Sequence, residues 1–257
     1  MALNPRIRQW QGRRVWLVGA SSGIGLALAE HLASLGAKVA VSARQTEPLE
    51  QFAARHPGAL ALPLDVTDAA ALKGATLRLW QHWGGLDHTV YCAGMYRPLR
   101  ASEFDREVLQ QHMAVNYGGA VNWLAGVLPR LLHQGHGHVS LVASVAGYGG
   151  LPQALAYGPT KAAMIHLAEG LYLDLHDQGV AVSLIDPGFV KTPLTAQNTF
   201  AMPALQTPEQ AARAIVRGWA TGRFEIHFPR RFTWGLKVLQ WLPYRAYFAL
   251  VRRSTGL

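Results

Sequence analysis

Short apolar runs alternate with longer stretches of helical periodicity along this chain. Residues 15–18, 39–42, 59–64, 89–92, 139–142 and 180–185 read as strands, and 224–228 as a seventh. Between them, 24–35, 46–56, 69–82, 107–132, 160–177 and 208–219 read as helices. Continuously apolar strands separated by helices predict an α/β fold, with a parallel sheet covered on both faces. Right-handed crossovers make that sheet doubly wound. No internal repeat, low-complexity tract or linker interrupts the pattern, so a single domain is expected. The segment 192–208 holds Pro193, Pro203 and Pro208 and no charge. It reads as a mobile flap over a site, with a plain surface loop as the alternative.

Composition narrows the class. Half of the 257 residues are hydrophobic and 15% are charged, enough to bury a large core. One cysteine excludes a disulfide framework and a cysteine-based zinc finger. The net charge of +9 is unevenly spread: 226–257 carries six bases (Arg230, Arg231, Lys237, Arg245, Arg252, Arg253) and no acid. The body is close to balance, so no nucleic-acid-binding face is expected there. The first ten residues hold no apolar run before a small-residue cleavage site, and no stretch has the ~18 uncharged apolar residues of a spanning helix. With lone Cys92, these features lead us to expect a cytoplasmic, reducing location.

After the first strand comes Gly19-Ala20-Ser21-Ser22-Gly23-Ile24-Gly25, and a helix follows directly. Glycine permits a tight turn and close approach of a pyrophosphate, and the helix N-terminus supplies free N–H groups. The spacing Gly-x-x-x-Gly-x-Gly differs from the usual Gly-x-Gly-x-x-Gly fingerprint. The second strand should end near the adenosine ribose, where NAD binders place an acid. Here it ends Val41-Ser42-Ala43-Arg44-Gln45. A guanidinium binds a 2′-phosphate that a carboxylate would repel, so NADP is expected over NAD. The alternative is a solvated surface arginine.

Tyr157 and Lys161 are four residues apart, on one face of a helix. A free phenol, with a pKa of ~10, is a poor base at neutral pH, and a nearby ammonium would lower that value. Pro159 is tolerated in a first helical turn. Ser144, at the end of the fifth strand, could hydrogen-bond a substrate oxygen. Taken alone, the Tyr–Lys pair could equally be a surface i,i+4 pair. Together with the glycine turn, Asp65, Ala93-Gly94, Asn116 and Pro187-Gly188 in this order, the chain resembles the short-chain dehydrogenase/reductase family from about residue 12 to 223.

That resemblance implies a Rossmann-like, seven-stranded parallel sheet in one domain, assembled as a homodimer or homotetramer. Residues 1–228 would be the dinucleotide-binding catalytic domain, and 229–257 a basic amphipathic C-terminal helical extension. It implies Tyr157 as general acid/base and Lys161 as the group that lowers its pKa and holds the nicotinamide ribose. Ser144 would polarise the carbonyl, and Asn116 would organise a water linking Lys161 to solvent. Gly19, Ser21, Ser22, Gly23, Ile24, Gly25, Arg44, Asp65, Val66, Ala93, Gly94, Pro187, Gly188, Val190 and Thr192 would bind cofactor, Asp65 at the adenine amino group and Thr192 at the carboxamide. The reaction implied is NADP(H)-dependent interconversion of an alcohol and its ketone or aldehyde. A catalytically silent NADP(H)-sensing protein on the same fold is the alternative, and a membrane-bound scaffold acting through its tail is a third.

The sequence departs from the family pattern in places. Val18 stands where a threonine commonly precedes the first glycine, which removes a hydroxyl that would tie the turn to a neighbouring strand. Tyr91-Cys92-Ala93-Gly94 stands where the family has Asn-Asn-Ala-Gly, which leaves more of the cofactor contact to backbone. Cys92 reads as a buried strand residue. The expected pocket wall (94–96, 145–151, Phe189 and 194–205) is mostly apolar or small, which points to a small hydrophobic carbonyl or alcohol substrate. In the tail, aromatics interleave with bases and Pro243 should kink or split the segment. Such a segment suits an amphipathic helix pair lying on anionic lipid, or a terminal element packed on protein or across a dimer interface. His133, His136 and His138 read as a solvated loop, and no metal site is expected.

Overall fold

The structure, a computed structural model, describes residues 2–198 and 200–256. Its strands are β1 (Arg14–Val18), β2 (Lys38–Ser42), β3 (Leu60–Ala61), β4 (His88–Tyr91), β5 (Gly137–Val142), β6 (Val180–Pro187) and β7 (Glu225–Phe228). They form one parallel sheet in the order β3-β2-β1-β4-β5-β6-β7. Strand alternation sends Trp16, Val18, Leu141 and Leu184 to one face, against α3 (Ala69–Trp83), α5 (Gly119–Gln134) and α6 (Tyr157–Leu175). Val15, Leu17, Val90 and Ile185 face α1 (Gly23–Ser34), α2 (Thr46–Arg55) and α7 (Pro208–Ala220). The chain winds outward to β3, then crosses back to β4, so the crevice at the strand C-termini opens between β1 and β4.

Three elements differ from expectation. Strand β3 is only two residues long, although the chain continues beside β2 through Leu62 N–H to Val41 O (2.9 Å) and Leu64 N–H to Ala43 O (3.0 Å). Pro63, between these two donors, has its nitrogen on the unpaired edge side, where a proline is tolerated. The helix expected over 107–132 divides into α4 (Arg106–His112), a π-helical turn (Met113–Gly118) and α5. The Tyr91 hydroxyl donates to the Val115 carbonyl inside that wide turn (2.6 Å), where the ordinary helical ladder is interrupted. His138 lies in β5 and is buried, not in a solvated loop.

The segment after β6 closes on itself through a bridge between Val190 and Gln206 and carries a short 3₁₀ turn, Thr195–Gln197. Thr199, inside the expected flap, lies outside the described residues. Thr207 caps α7 in a reciprocal box with Gln210. Pro243 splits the tail into α8 (Arg230–Gln240) and α9 (Tyr244–Thr255). Among the described residues no helix is long and apolar enough to cross a membrane.

Candidate active site

A cleft of about 830 Å³ lies at the C-terminal ends of the strands. Every residue expected to bind cofactor or act in catalysis lines it except Asn116, which is fully buried. The glycine turn is packed to its limit. Gly19 has φ +93, and a Cβ there would stand 2.3 Å from the Ala93 nitrogen. Backbone bonds hold the turn without the missing threonine hydroxyl: Gly19 N–H to Ser42 O (2.7 Å), and Cys92 N–H to Val18 O (2.7 Å). The turn runs straight into α1, so free N–H groups of a helix start face the cleft, a donor set suited to a pyrophosphate.

At the outer end, Arg44 is exposed on the lip beside Gln45. Asp65 Oδ1 accepts from the Thr67 N–H (2.8 Å) and hydroxyl (2.7 Å), which hold its carboxyl below the usual carboxylate range; the Arg44 charge adds to this. Among the described residues that line the cleft, Asp65 is the one carboxylate. These groups fit a dinucleotide whose ribose end is anionic.

At the inner end, helix α6 begins at Tyr157, which puts Lys161 one turn on. The Tyr157 ring meets Tyr96 edge-on at 5.2 Å, and Ser144 lines the same end of the cleft. Burial pushes the phenol up from 10.0, against the opposing pull of Ser144. The net shift is upward, opposite to the depression expected from Lys161, whose Nζ lies 5.4 Å from the ring centre. Lys161 donates to the Val142 carbonyl (3.0 Å), and burial pushes its amine down to about 8. Asn116, on the π-helical turn, accepts from Met95 N–H (2.7 Å) and donates to Met95 O (3.1 Å) and Thr160 Oγ1 (3.0 Å). A Cβ on Gly94 would stand 3.4 Å from Asn116 Oδ1 and 3.7 Å from Lys161 Nζ, so this backbone passes close beside both groups.

Some expected residues lie elsewhere. Residues 145–151 and Phe189 do not line the cleft. The tail covers them: Tyr247 donates to Gly150 O (2.9 Å), and Phe232 packs on Phe189 at 5.7 Å. Cys92, read from the sequence as a buried strand residue, instead follows the end of β4, is partly exposed and lines the cleft; desolvation raises its thiol to about 11. His138 stacks on His88 at 4.3 Å and bonds Ser183 (2.8 Å), while His133 and His136 are exposed, so the three histidines do not converge.

Sequence reasoning missed two features. Gln197 donates to the Tyr96 carbonyl (2.9 Å), tethering the flap to the opposite wall. Behind Ser144, the Tyr148 hydroxyl reaches Glu225 (2.6 Å) and Asp186 (3.2 Å), and Lys237 of α8 pairs with Glu225. Burial and the neighbouring Glu225 hold the Asp186 carboxyl well above its ordinary value. No sequence signal joins four residues so far apart in the chain.

A family model described as short chain dehydrogenase matches residues 13–202. An uncharacterized oxidoreductase of Myxococcus xanthus is 35% identical over 94% of this chain and 97% of its own length. The human dehydrogenase/reductase SDR family member 7 is 33% identical over 72% of this chain and 60% of its own. The crystal structure of a short-chain dehydrogenase from Streptomyces avermitilis superposes with a TM-score of 0.82 at 25% identity, covering 95% of this chain and 98% of that one. A Burkholderia cenocepacia short chain dehydrogenase in complex with NADP shares the fold, with a TM-score of 0.82 at 24% identity over 95% and 98% of the two chains.

Proposed function

The chain belongs to the short-chain dehydrogenase family as an oxidoreductase, and from that premise we propose that it interconverts a hydrophobic alcohol and its ketone or aldehyde with NADP(H). The observation that carries this reading is the convergence of Tyr157, Ser144 and Lys161 at the inner end of the cleft. Nicotinamide, when bound, supplies or accepts the hydride. Tyr157, held protonated by burial, gives its proton to the carbonyl oxygen in reduction and takes it back in oxidation. Ser144 points a second donor at the same oxygen. Lys161 places positive charge behind the phenol, and Asn116 fixes the strand-end backbone at Met95.

Arg44 at the lip supports NADP over NAD, since a 2′-phosphate there meets a guanidinium. Met95, Tyr96 and Leu194 near Tyr157 support an apolar substrate. Residues 1–228 are the catalytic unit in this reading, assembled as a homodimer or homotetramer, with 229–257 as its extension. The test is NADPH absorbance across a panel of aliphatic, cyclic and aromatic ketones and aldehydes, with polyols and sugars as controls. Turnover of apolar carbonyls is expected. Tight NADPH binding with no turnover of any panel member would leave a cofactor sensor instead, and turnover confined to polyols would refute the substrate class.

A further inference from the structure

The tail helices have a committed inner side and an uncommitted outer one. Inward, α8 and α9 are fixed by Phe232 on Phe189, Lys237 on Glu225 and Tyr247 on Gly150. Outward, Val238 on α8 and Trp241 just past its end are 51% and 81% exposed, and Trp234, its ring edge-on to His227 at 5.5 Å, keeps 46% of its surface exposed. Past Pro243, Tyr244 and Phe248 stack at 5.5 Å, and Tyr244 is 78% exposed. A contiguous face of large apolar side chains marks an interaction surface. Around it stand Arg230, Arg231, Arg245, Arg252 and Arg253, all exposed, and none is ion-paired among the described residues.

We propose that this face docks on an anionic lipid surface. Exposed tryptophan and tyrosine suit the level of lipid headgroups, with their rings toward the acyl chains and their polar atoms toward water. Unpaired arginines beside them meet lipid phosphates bidentately. The helices then lie in the interface plane without spanning it. A second copy of this chain fits poorly, because two such faces would oppose five uncompensated arginines to five more. Nucleic acid would satisfy the charge, but Val238 and Leu250 on the exposed side offer nothing to it and suit acyl chains. The inference does not depend on the identity of the substrate.

The test is co-sedimentation of the full-length protein with vesicles of phosphatidylcholine alone or enriched in phosphatidylglycerol. Wild type should pellet with the anionic vesicles, less so as salt rises, and stay in solution with the neutral ones. The triple variant Arg245→Glu/Arg252→Glu/Arg253→Glu should bind on the order of a hundredfold more weakly, at roughly fivefold per base. Trp241→Glu/Phe248→Glu should lose roughly tenfold or more. NADPH binding by both variants should match wild type, which shows that the fold is intact. Equal pelleting of wild type and variants would overturn the proposal. So would a dimer that dissociates on Trp241→Glu with no lipid binding, or single-stranded oligonucleotide bound more tightly than anionic vesicles.

Discussion

Replacing Lys161 with methionine should make the protein more stable and inactive at once. The amine is 4% exposed, and among the described residues no carboxylate pairs with it. Burial lowers it from 10.5 to about 8. At ~1.4 kcal/mol per pH unit, holding the ammonium there costs about 3 kcal/mol at pH 7. Methionine keeps most of the apolar stem and removes the charge, at the loss of the bond to Val142 O, worth about 1 kcal/mol. The net gain is about 2 kcal/mol, or a rise in Tm of roughly 4–8 °C for a chain of this size. The gain depends on pH with a definite sign. Below pH 8 the folded and unfolded amines are both charged and the cost is complete. Between 8 and 10.5 the unfolded chain holds more protons, so wild type gains stability and the variant's advantage shrinks. Calorimetry at pH 7 and near pH 10.5, beside NADPH turnover, reads all three effects. A lower Tm for Lys161→Met at pH 7, or an advantage unchanged at pH 10.5, would refute the reasoning.

Other outcomes follow from single contacts. Arg44→Ala should raise the KM for NADPH by roughly ten- to a hundredfold and leave that for NADH within about twofold; equal losses for both would remove the cofactor argument. Tyr148→Phe deprives Glu225 and Asp186 of a shared donor and should lower stability by about 1–3 kcal/mol in urea titrations. His138 is held down to about 3, and His88 well below 6.5, by burial. Both shifts have the same sign: the stability conferred is complete above pH ~6.5 and lost as pH falls, for His138 at ~1.4 kcal/mol per unit down toward 3. Between pH 7 and 5 the unfolding free energy should therefore drop by about 2 kcal/mol through His138, with His88 acting in the same direction, and His138→Leu should flatten that slope.

The sheet was readable because strands buried on both faces leave uninterrupted apolar runs, and helices on both faces leave periodic ones. Its exceptions are local. Strand β3 is cut to two residues although its chain keeps bonding β2 beyond them, and Tyr91 reaches into the helix above it and accompanies its π-helical turn. The site was legible where chemistry is local in sequence: the glycine turn before α1, and Tyr157 with Lys161 on α6. Asn116 and Ser144 needed the family pattern, because nothing near them in the chain marks their role. The Tyr148–Asp186–Glu225–Lys237 group was illegible because residues from three strand ends and a tail helix meet only in three dimensions. The wall over 145–151 was misplaced for the same reason, since the aromatic tail that covers it packs from the far end of the chain.

Single-turnover oxidation of bound NADPH by Tyr157→Phe, with an apolar ketone that wild type reduces, tests the role of the phenol most directly. The account predicts a rate lower by about 10²–10⁴-fold with the NADPH dissociation constant within about twofold of wild type. A rate within tenfold of wild type, with the same cofactor affinity, would show that another group delivers the proton.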